Sequence, residues 1–364
     1  MNHITLLVPD NGLDTVTRMM LDEVAKEPDI TVIVAGPGEG ERYASHGADT
    51  SYDTADTGRV HGVDAVRIRS KLDRKAIRDY RRVMREHGVT MTFSPSTSGL
   101  ATMLWSSAGL KIRNIGYRGT QARVRRTDPT NYLALLNPRV RHVVCETPDI
   151  EEYMAGRIGR RHVSGFCKPY ELSWVEDAMA HPKRIDGWRD DTFNIITIGM
   201  FERRPHKGLR QLVEAMTMLG DRDVTLTVIG SYDEALRDTT AADKVHFCGP
   251  QPGAVAYIPG HDLYVLPSLR DASPRVVREA QACGVPCIVS DIPGARDLII
   301  DGKTGLLVRP DDPRAIADAI CTLYDDRDML RRLAGATRPY IRDNYALAPY
   351  VHYFVELFRK QASR

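Results

Sequence analysis

Asp271 and Glu279 stand eight positions apart in the stretch DLYVLPSLRDASPRVVREAQACGVPCIVS, residues 262–290, with a helix start between them. Residues 263–266 read as an apolar strand, 267–271 as a turn, and the helix opens at Ser273-Pro274. Ser accepts hydrogen bonds from the free amides of a first turn, and Pro fits the first helical position. Gly284 is the expected stop. A helix N-terminus beyond a strand's C-terminal end is an anion site. The segment Ser273, Pro274, Arg275 and Val276 is therefore expected to cradle a phosphate. Asp271 at the mouth and Glu279 deeper in can accept hydrogen bonds from hydroxyls on either side of a central diphosphate. That is what holding a nucleotide-sugar requires.

A second group of charges follows the apolar run 193–198, in GMFERRPHKGL, residues 199–209. Lys207, beside Gly208 at the start of the next helix, is placed to neutralise a leaving diphosphate. Arg204, with Arg203 beside it, can bind a phosphate through two parallel hydrogen bonds. Departure of a phosphate builds negative charge on its oxygen, so fixed cations there lower the barrier directly.

The pattern Asp271-x7-Glu279, with LPS before it, EAQACGVPCIVSDIPGARDLI across and after it, and DGKTGLLVRPDD beyond, resembles the glutamate-seven-glutamate region of retaining family 4 glycosyltransferases, a group 1 family with the GT-B fold. The resemblance implies that Asp271 orients the donor sugar, that Glu279 holds the ribose, and that Lys207 and Arg204 stabilise the diphosphate. It also implies metal-independent transfer with no cofactor beyond the donor. The chain departs from the family in four places. The first acid is Asp, one methylene short. Met200 follows Gly199 where the family often has Arg, and Arg204 is expected to supply that charge. Arg118-Gly119, in IGYRGTQ, stands where the family presents His-Gly; an Arg cannot act as a base but can bind a phosphate or carboxylate. Asn11-Gly12 marks the family's Gly-rich turn with one Gly only, and the loop from Arg118 through Arg123, Arg125 and Arg126 is the acceptor-side candidate.

These residues need strands and helices to hold them. Strands are expected over 4–8, 30–34, 65–68, 89–93, 112–117 and 142–145, with helical spacing over 16–24, 73–87, 99–108 and 150–155. GPGEGE and SYDTADTG read as loops. The alternation restarts with strands over 193–198, 224–229, 245–247, 262–266 and 286–289, and a last helix over 345–361. The expected fold class is α/β, GT-B, with two doubly wound Rossmann-like domains facing a central cleft. The expected divisions are an acceptor-side domain over 1–168, a linker over 169–190, a nucleotide-sugar-binding domain over 191–340, and a C-terminal helix over 341–364 that returns to the first domain. Base recognition falls to loops 230–233, beginning at Gly230, and 248–252.

At 364 residues and 42% hydrophobic content the chain can bury two cores. Its six cysteines lack metal-type pairing and read as core residues of a cytoplasmic protein. Residues 1–170 carry 25 Lys and Arg against 20 Asp and Glu, a mild bias towards an anionic partner and too weak for nucleic acid. The basic helix 73–87 has an apolar stripe of Ile77, Tyr80 and Met84. Its solvated positive face suits an anionic membrane, at the inner face of which the enzyme would sit. The expected partners are thus a nucleotide-sugar donor, UDP before GDP, and a glycan or lipid-linked acceptor in cell-envelope polysaccharide synthesis. Two alternatives stay open: a nucleotide-sugar epimerase on the same fold, and a non-catalytic nucleotide-sugar-binding scaffold.

Overall fold

The computed structural model describes residues 3–44, 59–186, 188–238, 241 and 243–363. The segment SYDTADTG lies outside them. The chain divides into two compact units, Met1–Pro169 with Leu347–Arg364, and Tyr170–Ala346.

The first unit holds strands β1 (Ile4–Pro9), β2 (Ile30–Gly36), β3 (Val60–Asp64), β4 (Met91–Ser94), β5 (Arg113–Arg118), β6 (Val140–Cys145) and β7 (Val163–Gly165). They form one parallel sheet in the order β3-β2-β1-β4-β5-β6-β7. Helices α1 (Thr15–Val24), α2 (Glu39–Ala44), α3 (Arg74–Glu86), α4 (Thr97–Ser106) and α5 (Pro148–Ile158) alternate with them. Short polar side chains start most of these helices: Asp14, Asp73, Ser96 and Thr147 each accept an amide of the following turn. β2 is buried along its whole length, as a parallel strand covered on both faces must be.

Three readings of this half are corrected. Residues 65–68 are not a strand; β3 lies just before them at the sheet edge, where only Val60 is buried. Its mixed sequence hid it, while Ala65 and Ile68 drew attention because they pack into the core with Leu7, Ile33 and Tyr80. GPGEGE is not all loop, since α2 begins at Glu39. The basic helix is α3, but its buried face is Ala76, Tyr80, Val83 and Met84, with Ile77 only half-buried. Arg81 also leaves the solvated face: its Nη1 donates to the carbonyls of Ser106 (2.9 Å) and Ala108 (2.6 Å) at the end of α4.

The second unit holds β8 (Phe193–Ile198), β9 (Val224–Ile229), β10 (Val245–Gly249), β11 (Leu263–Leu266), β12 (Cys287–Ser290) and β13 (Gly305–Val308), a parallel sheet in the order β10-β9-β8-β11-β12-β13. Its helices are α6 (Glu176–Ala180), α7 (Leu209–Thr217), α8 (Arg275–Ala282), α9 (Pro313–Asp325) and α10 (Arg327–Asn344). Of residues 169–190, read as a linker, all but Pro169 count with this unit, and Leu172–Val175 and α6 lie within them. The strand order reverses between β8 and β11, and loops at the carboxyl ends of that pair form the ligand crevice of such sheets.

The last helix, α11 (Leu347–Ala362), belongs to the first unit. Phe354 and Phe358 set their rings against Phe93 at 5.2 and 5.9 Å. Arg359 pairs with Glu27 and Asp29, each at 2.6 Å.

Candidate active site

The site is built on the two loops that leave β8 and β11. After β8 the chain makes a turn of 3-10 helix over Pro205–Lys207, then Gly208 opens α7 at φ +80°. A Cβ on Gly208 would stand 2.0 Å from the Pro267 carbonyl oxygen, so only glycine lets this loop lie on the one after β11. The Leu269 amide donates to the His206 carbonyl across the two loops at 2.7 Å. As a result Lys207 Nζ meets Asp271 Oδ2 in an ion pair, their side chains 11% and 14% exposed. Burial lowers the His206 imidazole below its usual value, and the positive charges of Arg270 and Lys207 lower it further against the opposing charge of Asp271.

Glu279 lies on the inner face of α8, 14% exposed, and pairs with Arg275 Nε at 2.9 Å. Burial pushes its carboxyl above the ordinary 4.5, with the charges of Arg275 and Arg278 opposing. A carboxyl whose pKa is higher in the folded chain stabilises the fold fully only below its unfolded value. That contribution is lost as pH rises through 4.5 to the folded value. Glu279→Gln is therefore expected to hold or raise the melting temperature at pH 7 relative to the parent and to lose that advantage at pH 4. Melting curves at the two pH values check this; a lower melting temperature at pH 7 and unchanged at pH 4 would refute it.

α8 departs from the expected start. Pro274 occupies the N-cap, Ser273 lies outside the helix, and no side chain caps it. Pro274 has no amide, so the anion-facing donors of the first turn are Arg275 and Val276. The stop is as expected: Val285 N bonds Ala280 O and Gly284 N bonds Gln281 O, both at 3.0 Å, with Gly284 at φ +83°.

An open pocket of 340 Å³ gathers Gly199, Met200, Arg204, Lys207, Gly230, Gln251, Arg275 and Val276. Gly230 sits at φ +119°, and a Cβ there would be 1.8 Å from the Gly199 carbonyl oxygen, so the loops after β8 and β9 touch backbone to backbone. Arg203 is exposed and does not line the pocket. Met200, read only as a missing charge, forms part of its apolar wall, 48% exposed. Arg275 joins Arg204 and Lys207 on the lining of this pocket, and its guanidinium is also paired with Glu279.

Gly12 and Arg118 belong to the first unit. Gly12 (φ +87°) turns the loop after β1, and its amide and that of Leu13 donate to Asp10 Oδ1 at 2.9 Å. Asn11 Nδ2 donates to Ser98 Oγ at 2.9 Å, joining the loop after β1 to the first turn of α4, which follows β4; β1 and β4 are the pair where this sheet's order reverses. Arg118 ends β5, and its Nη2 donates to the Ala122 carbonyl, folding the following loop over it. Its Nε is buried without a hydrogen-bond partner, and burial lowers the guanidinium's pKa from its usual value. Among the described residues no group of three or more His, Cys, Asp or Glu could hold a metal ion, and no helix is long and apolar enough to cross a membrane.

Residues 192–326, which hold all six strands of the second sheet and both site loops, match the family model described as glycosyl transferases group 1. A D-inositol 3-phosphate glycosyltransferase of Paenarthrobacter aurescens is 33% identical over 170 residues, which cover 42% of this chain and 41% of that protein. A Campylobacter jejuni N,N'-diacetylbacillosaminyl-diphospho-undecaprenol alpha-1,3-N-acetylgalactosaminyltransferase is 30% identical over 133 residues, 35% of each chain. The chain thus spans less than half the length of the curated relatives it matches. Over its whole length it resembles a glycosyltransferase structure from Rickettsia africae, with a TM-score of 0.79, 15% identity and coverage of 100% of this chain and 99% of that one. Anabaena HepE in complex with UDP gives a TM-score of 0.73 at 14% identity, covering 98% and 100%. The fold is α/β, GT-B, with two parallel sheets. Within the second unit, the likeness to the group 1 glycosyltransferases extends over residues 192–326.

Proposed function

We propose that the protein is a retaining glycosyltransferase that moves a hexose-type sugar from a nucleotide-sugar to a hydroxyl of a glycan or lipid-linked acceptor. The observation that carries this reading is the Lys207–Asp271 pair at the strand reversal of the second unit, beside the uncapped amides of Arg275 and Val276. Three cations and two amides on one pocket suit a diphosphate, and the carboxylates of Asp271 and Glu279, paired with two of those cations, suit the hydroxyls of a sugar and a ribose. UDP is the favoured carrier, since the Anabaena structure of the same fold holds UDP. The Campylobacter relative, named for transfer to a diphospho-undecaprenol-linked sugar, supports a lipid-linked glycan as acceptor.

In the reaction the bond between the sugar's anomeric carbon and the diphosphate oxygen breaks, its electron pair leaving with the phosphate. The acceptor oxygen bonds the same carbon from the same face and passes its proton to the departing phosphate, so no side-chain base and no metal is required. Lys207, Arg204 and Arg275 balance the growing charge. Asp271 orients the sugar, Glu279 holds the ribose, and Arg118 binds an anionic group of the acceptor or donor.

Thermal denaturation against UDP-, GDP-, ADP-, TDP- and CMP-sugars tests the reading. A ligand at 100 times its dissociation constant adds about 2.7 kcal/mol, or about 5–10 °C for units of this size. A shift with UDP-sugars, followed by a product of unchanged anomeric configuration by NMR, is expected. No shift with any carrier would sink the proposal.

A further inference from the structure

Ser273-Pro274 spells the favoured start of a helix, a capping hydroxyl followed by a ring suited to the first helical position. The folded chain does not use it. Pro274 takes ψ 108°, α8 begins one residue later, and the hydroxyl that would cap it accepts a hydrogen bond from Arg278 Nη1 at 2.8 Å. Arg278 is 3% exposed, its Nε has no hydrogen-bond partner, and its guanidinium stands 5.8 Å from the Tyr345 ring centre. Burying a guanidinium with incomplete hydrogen bonding is costly, and an apolar side chain would pack there without that cost. A role beyond packing is needed to explain it.

We propose that Arg278 is a positioning residue that keeps the anion site open. By holding the Ser273 hydroxyl to itself, it prevents that hydroxyl from folding onto the amides of Arg275 and Val276, which line the pocket with Lys207 and Arg204. The helix end is thereby left for a diphosphate. The inference rests on the proposed function for the nucleotide attached to that diphosphate, but not for the anion itself.

Arg278→Met keeps the length of the stem and removes the donor. By calorimetry its affinity for UDP and for inorganic pyrophosphate is expected to fall about tenfold, the scale of one capping interaction, with uridine affinity unchanged. Made in a Ser273→Ala background, where no hydroxyl can fold back, the same change is expected to cost less than about threefold. Arg278→Lys, which retains a donor, should stay within about threefold of the parent and serves if the methionine variant does not fold. Equal losses in both backgrounds, or no loss in either, overturn the proposal. If the parent binds pyrophosphate and not UDP, the nucleotide-sugar reading fails while the pyrophosphate comparison still decides the role of Arg278. A parent that binds neither overturns both.

Discussion

Lys207→Ala is expected to lower turnover of the nucleotide-sugar about 10²–10³-fold, the loss that follows removal of one fixed group facing transition-state charge. The size rests on where the ammonium sits. Its side chain is 11% exposed, so little water screens it, and it lies on a loop locked to the next by the Gly208 contact and the Leu269–His206 hydrogen bond. In the structure Asp271 neutralises it; in the proposed reaction a bound diphosphate would take over that charge and free Asp271 for the sugar hydroxyls. Two consequences separate this from simple damage. Lys207→Ala should weaken UDP binding less than it lowers turnover, because the charge it balances grows as the bond breaks. Asp271→Asn should leave UDP affinity near that of the parent while lowering affinity for the UDP-sugar. Single-turnover rates and calorimetry on both variants decide it. Turnover of Lys207→Ala within tenfold of the parent would remove Lys207 from the reaction.

How far the sequence carried these conclusions differs between residues for physical reasons. The strands at 193–198 and 224–229 were read to the residue because both faces of a parallel sheet are covered and their runs of β-branched and apolar residues, FNIITI and VTLTVI, are broken only by Asn194. The edge strand β3 was missed because an edge needs no such run, and residues 65–68 mimic one only because they fill the core behind it. β7 and β13 were missed as well; with three and four residues each, they offer too little periodicity to read. At the site, Lys207 and Asp271 were legible as a spacing, since each follows a strand of the central pair by a short loop. Their ion pair was not, because it depends on Gly208 bringing separate loops into contact. The start of α8 is the sharpest case. Ser273-Pro274 carries the local signal for a cap, and the signal is overridden by a guanidinium five residues on, whose reach no local rule encodes. Arg204 was preferred to Arg203 in the sequence by little, and the structure puts Arg204 and not Arg203 on the pocket.

Gly208→Ala is the smallest change expected to dismantle the site. Alanine at φ +80° costs about 1–2 kcal/mol for its left-handed backbone alone. Its Cβ would also fall 2.0 Å from the Pro267 carbonyl oxygen, a contact that backbone on both sides cannot yield without parting the loops. Pro267 immediately follows β11, so parting them moves Ser268 to Asp271 away from Lys207 and strains the strand itself. The combined penalty is of the order of 3 kcal/mol or more, which lowers the melting temperature by roughly 6–12 °C for a unit of this size. Differential scanning calorimetry reads that fall in the transition of the second unit. Loss of diphosphate binding should accompany it even at temperatures where the variant is folded, because the ammonium and the α8 amides no longer converge on one anion. Gly220→Ala supplies the control: that glycine is also left-handed, at φ +62°, but a Cβ there meets nothing within 4 Å. It should pay the backbone cost alone and keep its ligand. If Gly208→Ala behaved like Gly220→Ala in both melting and binding, the two loops would not be held by the contact that places Lys207 against Asp271, and the geometry on which the transfer reaction rests would have to be abandoned.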